Sequence, residues 1–227
     1  ISPQYSLQRD GVFWDLTGTG NTVDTDNPMI SQMILDSLRY WASEYNMGGF
    51  RFDLAGVFSY EDMGHIVGTL HAEHPRNLLT YGEPWIGFAD DWRENRLRLG
   101  TIARIEGAHY GAFNPKFRDA IRGDGNGLGG EFGNGFIFNQ TNGDLFPIQA
   151  GSRGAIRDVS TRNPFAPIAD WDMMYTTDPE QAINYVSAHD NLALWDKINI
   201  WANANGHGGN EAYKRRLQQY ANGIVLT

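Results

Sequence analysis

Cysteine is absent from this chain of 227 residues. That excludes disulfide staples, thiolate zinc sites and a cysteine nucleophile. Positive charge is scarce: 18 Lys and Arg stand against 27 Asp and Glu, for a net charge of −9. Binding to nucleic acid needs a basic stripe that neutralises phosphates, so no nucleic-acid partner is expected. No apolar run approaches the roughly 20 residues that cross a bilayer. No basic-then-apolar leader follows Ile1. No membrane partner is expected either. What is present is a good supply of core formers, with 41% hydrophobic and 13% aromatic residues, which argues against disorder. The 27 glycines point to many loops. The length fits one domain or at most two. Acids and aromatics together suit carbohydrate chemistry.

Strand and helix signals alternate along the chain. Residues 1–27 read as loop, broken by Gly18, Gly20, Asn21 and Asp26. Asn27 and Pro28 then suit the cap and first position of a helix. Ile30, Ile34, Leu38, Trp41 and Tyr45 fall on one helical face, and Gly48 and Gly49 end the helix. Gly49–Leu54 reads as a buried strand. Ser59 and Asp62 start a second helix whose apolar face is Met63, Ile66, Val67 and Leu70, and Pro75 ends it. Asn77–Glu83 is the next strand, so residues 50–83 have the size of one βαβ unit. Thr101–Ile105 reads as a further short strand, and Asn114 and Pro115 open a helix ending near Gly123. Residues 123–180 are irregular, with seven glycines between 123 and 135. Gln181–Ser187 reads as a strand, followed by helices over about 192–202 and from Asn210 to about Tyr220. Ile224–Leu226 begins one more strand. The class is α/β with a parallel sheet. A Rossmann sheet and a (β/α)8 barrel both fit, although no G-x-G-x-x-G follows a strand.

Ionisable residues collect at strand ends. The first strand carries Arg51 and Asp53, the second ends on Glu83, and the third runs into His189 and Asp190. In a parallel sheet these ends share one rim, where catalytic loops gather. Two carboxylates on adjacent strands suit glycoside hydrolysis: one acts as nucleophile or base, and the other protonates the leaving oxygen. Neighbouring strands lie about 4.8 Å apart, near the ~5–5.5 Å separation of a retaining pair. Arg51 is two residues before Asp53 and points to the same face. Glu83, between Tyr81 and Trp85, is expected in apolar surroundings.

These residues resemble a known family. Gly49-Phe-Arg-Phe-Asp-Leu-Ala-Gly-Val57 resembles the second conserved region of the α-amylase superfamily, Tyr81-Gly-Glu-Pro-Trp85 the third, and Tyr185-Val-Ser-Ala-His-Asp-Asn191 the fourth. Thr19-Gly-Asn21, the helix over 33–41, Phe113-Asn114 with 117–123, and the stretch 189–198 resemble the type I pullulanases. The resemblance implies a (β/α)8 TIM barrel and cleavage of α-1,6 branch links in pullulan and related branched α-glucans. It implies Asp53 as nucleophile, Glu83 as general acid/base and Asp190 as transition-state stabiliser. Arg51 would orient the nucleophile, His189 would bond the sugar, and Trp85 and Asn191 would contact substrate. The superfamily's first conserved region has no counterpart here. The resemblance therefore implies a partial barrel, about strands four to eight, within one incomplete domain over 1–227 and with a long insertion before strand seven. Strands four, five, seven and eight correspond to 49–54, 77–83, 182–188 and 224–227. Such a fragment is expected to be inactive alone. The rival readings are an isoamylase, glycogen-debranching or α-1,4-acting relative, and a non-catalytic glucan-binding module.

Other features read more plainly. His71 and His74 are a surface pair, and no metal site is expected. Asp124-Gly-Asn-Gly127 faintly resembles a calcium loop but lacks its later ligands, so no cofactor is expected. Asn139-Gln-Thr141 fits a glycosylation sequon by chance. Tyr40 and Trp41 read as core, while Trp171, Trp195 and Trp201 are candidate sugar platforms. The composition fits a bacterial cytoplasm and export equally.

Overall fold

A computed structural model describes residues 3–74, 78–87, 91–105, 107–123, 135–139, 145–157 and 173–227. The chain divides into two compact units, one of residues 1–113 with 175–183 and one of residues 114–174 with 184–227. Each is described by itself.

The first unit opens with a small antiparallel hairpin, β1 (Gln8–Arg9) and β2 (Val12–Phe13). Asp10 and Gly11 turn it with positive φ, so a segment read as loop contains paired strands. Helix α1 (Pro28–Glu44) follows, capped by the Asn27 side chain, which accepts from the Met29 amide at 3.0 Å. Proline at the first position gives up no bond there. Tyr45 closes the helix, four residues before Gly49. Next come β3 (Gly49–Phe52), α2 (Tyr60–Glu73) and β4 (Leu79–Gly82), the expected βαβ unit. The Ser59 hydroxyl caps α2 by accepting from the Asp62 amide at 3.0 Å. Met63, Ile66, Val67 and Leu70 are all fully buried on its inner face. Each such burial contributes about 1.5–3 kcal/mol.

The sheet has four parallel strands in the order β3-β4-β5-β6, with β5 Tyr110–Phe113 and β6 Ala182–Ile183. An α/β fold with a parallel sheet is thus the class observed. The strand expected at Thr101–Ile105 is instead a 3₁₀ turn, Leu99–Ile105, and the strand lies at β5. Gly111 makes that placement work: a Cβ there would sit 2.8 Å from the Ile183 side chain. Sequence propensity does not register this close approach of strands.

In the second unit, helices α3 (Pro115–Arg122), α4 (Phe136–Asn139), α5 (Leu145–Ser152), α6 (Leu194–Ala204) and α7 (Glu211–Val225) surround their own core. That core contains Phe117, Ile121, Phe138, Leu194, Ile198 and Leu217. The strand expected to begin at Ile224 is absent, because α7 runs on through Val225. Ile224 and Val225 pack against the helical cluster, which overrides their β-branched preference. The strand expected over Gln181–Ser187 shortens to β6.

Several side chains depart from expectation. Trp41 and Tyr45 are exposed, and Tyr40 with them, because the buried stripe of α1 runs through Ile30, Leu35 and Ala42. The three rings pack on one another at 4.5–5.9 Å between centroids. Trp201 stacks on Phe138 at 4.8 Å and belongs to the packing of the second unit. Trp195 lies beneath the Lys214 ammonium at 5.8 Å. Trp171, the 124–127 loop and residues 140–141 of the sequon fall outside the described residues.

His71 is half-buried, not a plain surface histidine. Its Nε2 lies 3.0 Å from the Thr80 hydroxyl, which donates to the His109 carbonyl at 2.6 Å, so Nε2 is the donor. Burial, then the neighbouring His109, pushes His71 below its ordinary 6.5, while Glu180 opposes the shift. The unfolded chain therefore takes up the proton first. Stability is expected to fall as pH drops through and below 6.5. Urea unfolding at pH 7.5 and 5.5 checks this, and His71→Asn should flatten that part of the profile.

Candidate active site

Alternation along β3 sends Arg51 and Asp53 to one face of the sheet. Register does the rest. Arg51 pairs with Tyr81 and Phe52 with Gly82, so Glu83 leaves β4 level with Asp53. The Glu83 amide extends the ladder by donating to the Phe52 carbonyl at 3.1 Å.

One guanidinium joins the two acids. Arg51 Nη1 donates to Asp53 Oδ1 at 2.5 Å, and Nη2 donates to Glu83 Oε1 at 2.6 Å. Glu83 Oε2 accepts the Leu54 amide at 2.9 Å. The pocket around Glu83 is therefore not purely apolar as expected, since both carboxylate oxygens are bonded. The two acids sit in contrasting places. The Glu83 side chain is 4% exposed and that of Asp53 is 68% exposed. Environments that differ this much are how one site gives two carboxylates different tasks. The Arg51 guanidinium also lies 5.8 Å from the Phe113 ring, which packs edge-on against Tyr81.

The turn after β3 is strained and tightly held. Leu54 adopts φ of 42°, a left-handed conformation that costs a branched residue roughly 1–3 kcal/mol. That conformation belongs to the residue whose amide reaches Glu83. The Gly56 amide donates to the Trp85 carbonyl at 3.0 Å, and a Cβ at Gly56 would lie 2.4 Å from that oxygen. The turns after β3 and β4 are thereby joined.

Sequence reading missed what holds this turn. The Val57 carbonyl accepts from Thr25 at 2.7 Å, Arg93 at 3.2 Å and Arg96 at 3.1 Å. The Gly56 carbonyl accepts from Arg98 at 2.6 Å. The density of arginine over 93–104 was the available signal. Tyr110 was missed too. Its ring packs on Phe52 at 5.9 Å, and its buried hydroxyl has no hydrogen-bond partner among the described residues. Burial, then the charge of Glu83, pushes that phenol well above its usual range.

His189, Asp190 and Asn191 belong to the second unit. They follow β6 on irregular chain, not on the strand itself. His189 Nε2 lies 3.2 Å from Asp190 Oδ1, both side chains are exposed, and Asn191 has φ of 59°. Arg122 steadies the segment by donating to the Leu192 carbonyl at 2.9 Å, and the Leu194 amide donates to the Ser187 hydroxyl at 3.1 Å. Trp85 is half-buried beside Glu83 in sequence. Among the described residues no group of three or more His, Asp and Glu side chains is arranged to hold a metal.

No protein-family model matches the chain. Individual proteins do. The chain is 32% identical to a pullulanase of Bacillus subtilis (strain 168) over 226 residues, 99% of this chain and 28% of the relative. It is 30% identical to an isoamylase of Flavobacterium sp over 206 residues, 85% of this chain and 23% of the relative. A pullulanase from Paenibacillus barengoltzii, solved as a variant with maltotetraose, superposes with a TM-score of 0.81 at 30% identity, over 98% of this chain and 31% of that one. The chain is homologous to the pullulanases and isoamylases. It spans about a quarter of the length of these curated relatives. The parallel sheet corresponds to part of the pullulanase catalytic domain.

Arg51 is the part of this site whose loss is easiest to read. Arg51→Met would take the charged donor from the buried Glu83 carboxylate. A cost of about 1–3 kcal/mol is expected, measured by urea unfolding at pH 7. An unchanged midpoint would show that the bond to Glu83 contributes nothing.

Proposed function

We propose that this chain forms part of a retaining glycoside hydrolase that cleaves α-1,6 links in pullulan and related branched α-glucans. The observation that carries the reading is the pairing of Asp53 and Glu83 through Arg51 at adjacent strand ends, in a chain homologous to pullulanases along nearly its whole length. A bound oligosaccharide in a related pullulanase supports an α-glucan as the partner. In this reading β3, β4, β5 and β6 are strands four to seven of a (β/α)8 barrel. Residues 1–227 form one incomplete catalytic domain, with 123–180 an insertion before strand seven.

The chemistry follows from the positions. Asp53 is the nucleophile: its carboxylate attacks the anomeric carbon as the bond to the leaving oxygen breaks. Glu83 gives that oxygen a proton. Water then attacks the glycosyl intermediate, Glu83 takes a proton from it, and Asp53 is released. Arg51 holds Asp53 in line. Asp190 grips sugar hydroxyls most tightly in the transition state, His189 bonds the same sugar, and Trp85 and Asn191 make further contacts.

Asp53→Asn should lower hydrolysis of pullulan by several orders of magnitude and leave glucan binding intact. Glu83→Gln should cost about 10²–10⁴-fold, the usual worth of a positioned acid. Product analysis on pullulan, amylose and glycogen, with the barrel that contains this chain completed, decides the linkage. Maltotriose from pullulan supports the reading. The isoamylase relative favours one alternative, in which glycogen is debranched and pullulan is left intact. Persistent hydrolysis by Asp53→Asn would remove it from the nucleophile's role.

A further inference from the structure

Behind the turn that follows β3 lies a cavity of about 330 Å³, lined by Tyr60, Asp91, Asn95, Thr101 and four arginines: Arg93, Arg96, Arg98 and Arg104. Its volume is near ten times the roughly 30 Å³ share of one water, which is room for a small ligand.

The charge in it is unbalanced. The Asp91 side chain is fully buried, and its carboxylate is taken up by Arg93, whose amide, Nε and Nη2 donate to it at 2.7–3.0 Å. Asp26 reaches Arg93 and Arg96 at 3.3 and 2.8 Å. Those two arginines are therefore answered, and each also donates to the Val57 carbonyl. Among the described residues Arg98 and Arg104 are not answered: neither has a carboxylate within ion-pair distance. Arg98 Nη1 donates to the Gly56 and Leu97 carbonyls at 2.6 and 2.8 Å, so one edge of its guanidinium is anchored. Arg104 lies over the Tyr60 ring at 5.2 Å, which sets its plane without using its donors. Burial pushes Arg98 below its usual range; Asp91 opposes this, and the charges of Arg96 and Arg93 add to it.

We infer that this cavity is an oxyanion site for a phosphate group, either free phosphate or the phosphate monoester of a sugar. A tetrahedral oxyanion suits the place for two reasons. Planar guanidinium forks bind it with paired charge-assisted bonds. It also supplies the negative charge that Arg98 and Arg104 lack among the described residues. Scaffolding accounts for Arg93 and Arg96, whose carboxylates and carbonyl contacts are complete. It leaves Arg104, which touches no backbone oxygen among the described residues. Through Arg98 the site is one bond from Gly56, and Gly56 is bonded to Trp85. An occupant would thus steady the turn that follows Asp53.

Isothermal titration of the protein, at fixed ionic strength in chloride, with inorganic phosphate, glucose 1-phosphate and glucose tests this. Saturable binding of phosphate is expected. Arg104→Gln should weaken it about tenfold or more, the scale of one lost charge-assisted bond. Arg104 is exposed, so this variant leaves the fold in place. Arg98→Lys, which keeps the charge but loses the fork, should weaken it as well. Tighter binding of glucose 1-phosphate than of phosphate identifies a phosphorylated sugar, and equal binding identifies free phosphate. No saturable binding of either anion by the unsubstituted protein overturns the proposal. So does equal affinity in the unsubstituted protein and both variants.

Discussion

The bond on which the site depends is the double contact of one guanidinium with two carboxylates. Arg51 can make it only if β3 and β4 are in one particular register. A shift of one residue would turn Asp53 or Glu83 to the opposite face. The same register puts the Glu83 amide on the Phe52 carbonyl and the Leu54 amide on the Glu83 carboxylate. Strand pairing, turn conformation and site electrostatics are therefore one constraint. Gly82 belongs to it too, because a Cβ there would press within 2.4 Å of the Phe52 carbonyl.

A turn bent through a left-handed leucine needs support from outside. Backbone carbonyls in a buried turn must find donors. Here the 93–98 segment brings arginines to the Gly56 and Val57 carbonyls. Charged donors make stronger bonds than neutral ones. Their own charge then has to be answered, and Asp26 and Asp91 answer part of it. The rigidity of the turn after β3 and the charge surplus behind it have one origin.

What local chemistry decides could be read from the sequence. Asn27-Pro28 and Ser59 with Asp62 start helices by satisfying amides within a few residues. Arg51 and Asp53 share a face because they are two apart on a strand. What distant packing decides could not be read. Thr101–Ile105 has the better strand composition, yet β5 forms at a glycine that lets Ile183 approach. Ile224 prefers extended chain by type and is kept helical by the cluster it joins. The period of α1 and the burial of Ile30 were legible, but the stripe runs on through Leu35 and Ala42 and leaves Trp41 and Tyr45 outside, because which face turns inward depends on the neighbours of α1. For Glu83 the sequence showed Tyr81 and Trp85 beside it. Its actual partners, Arg51 and Leu54, are about thirty residues away.

The geometry also restricts how the proposed acid can work. Glu83 Oε2 faces an amide donor and Oε1 faces Arg51 Nη2, so both oxygens are acting as acceptors. An oxygen that carries a proton to a leaving group has to be free of a donor aimed at it. The Leu54 amide is fixed by backbone conformation and cannot withdraw without unmaking the turn. Arg51 can withdraw, because Asp53 offers it a second carboxylate at 2.5 Å. In the proposed roles, then, the guanidinium would move fully onto Asp53 when Glu83 takes its proton. It would stay with whichever carboxylate is charged. Such a shift needs no movement of the strands, since both bonds come from one planar group at the boundary between a buried and an exposed acid.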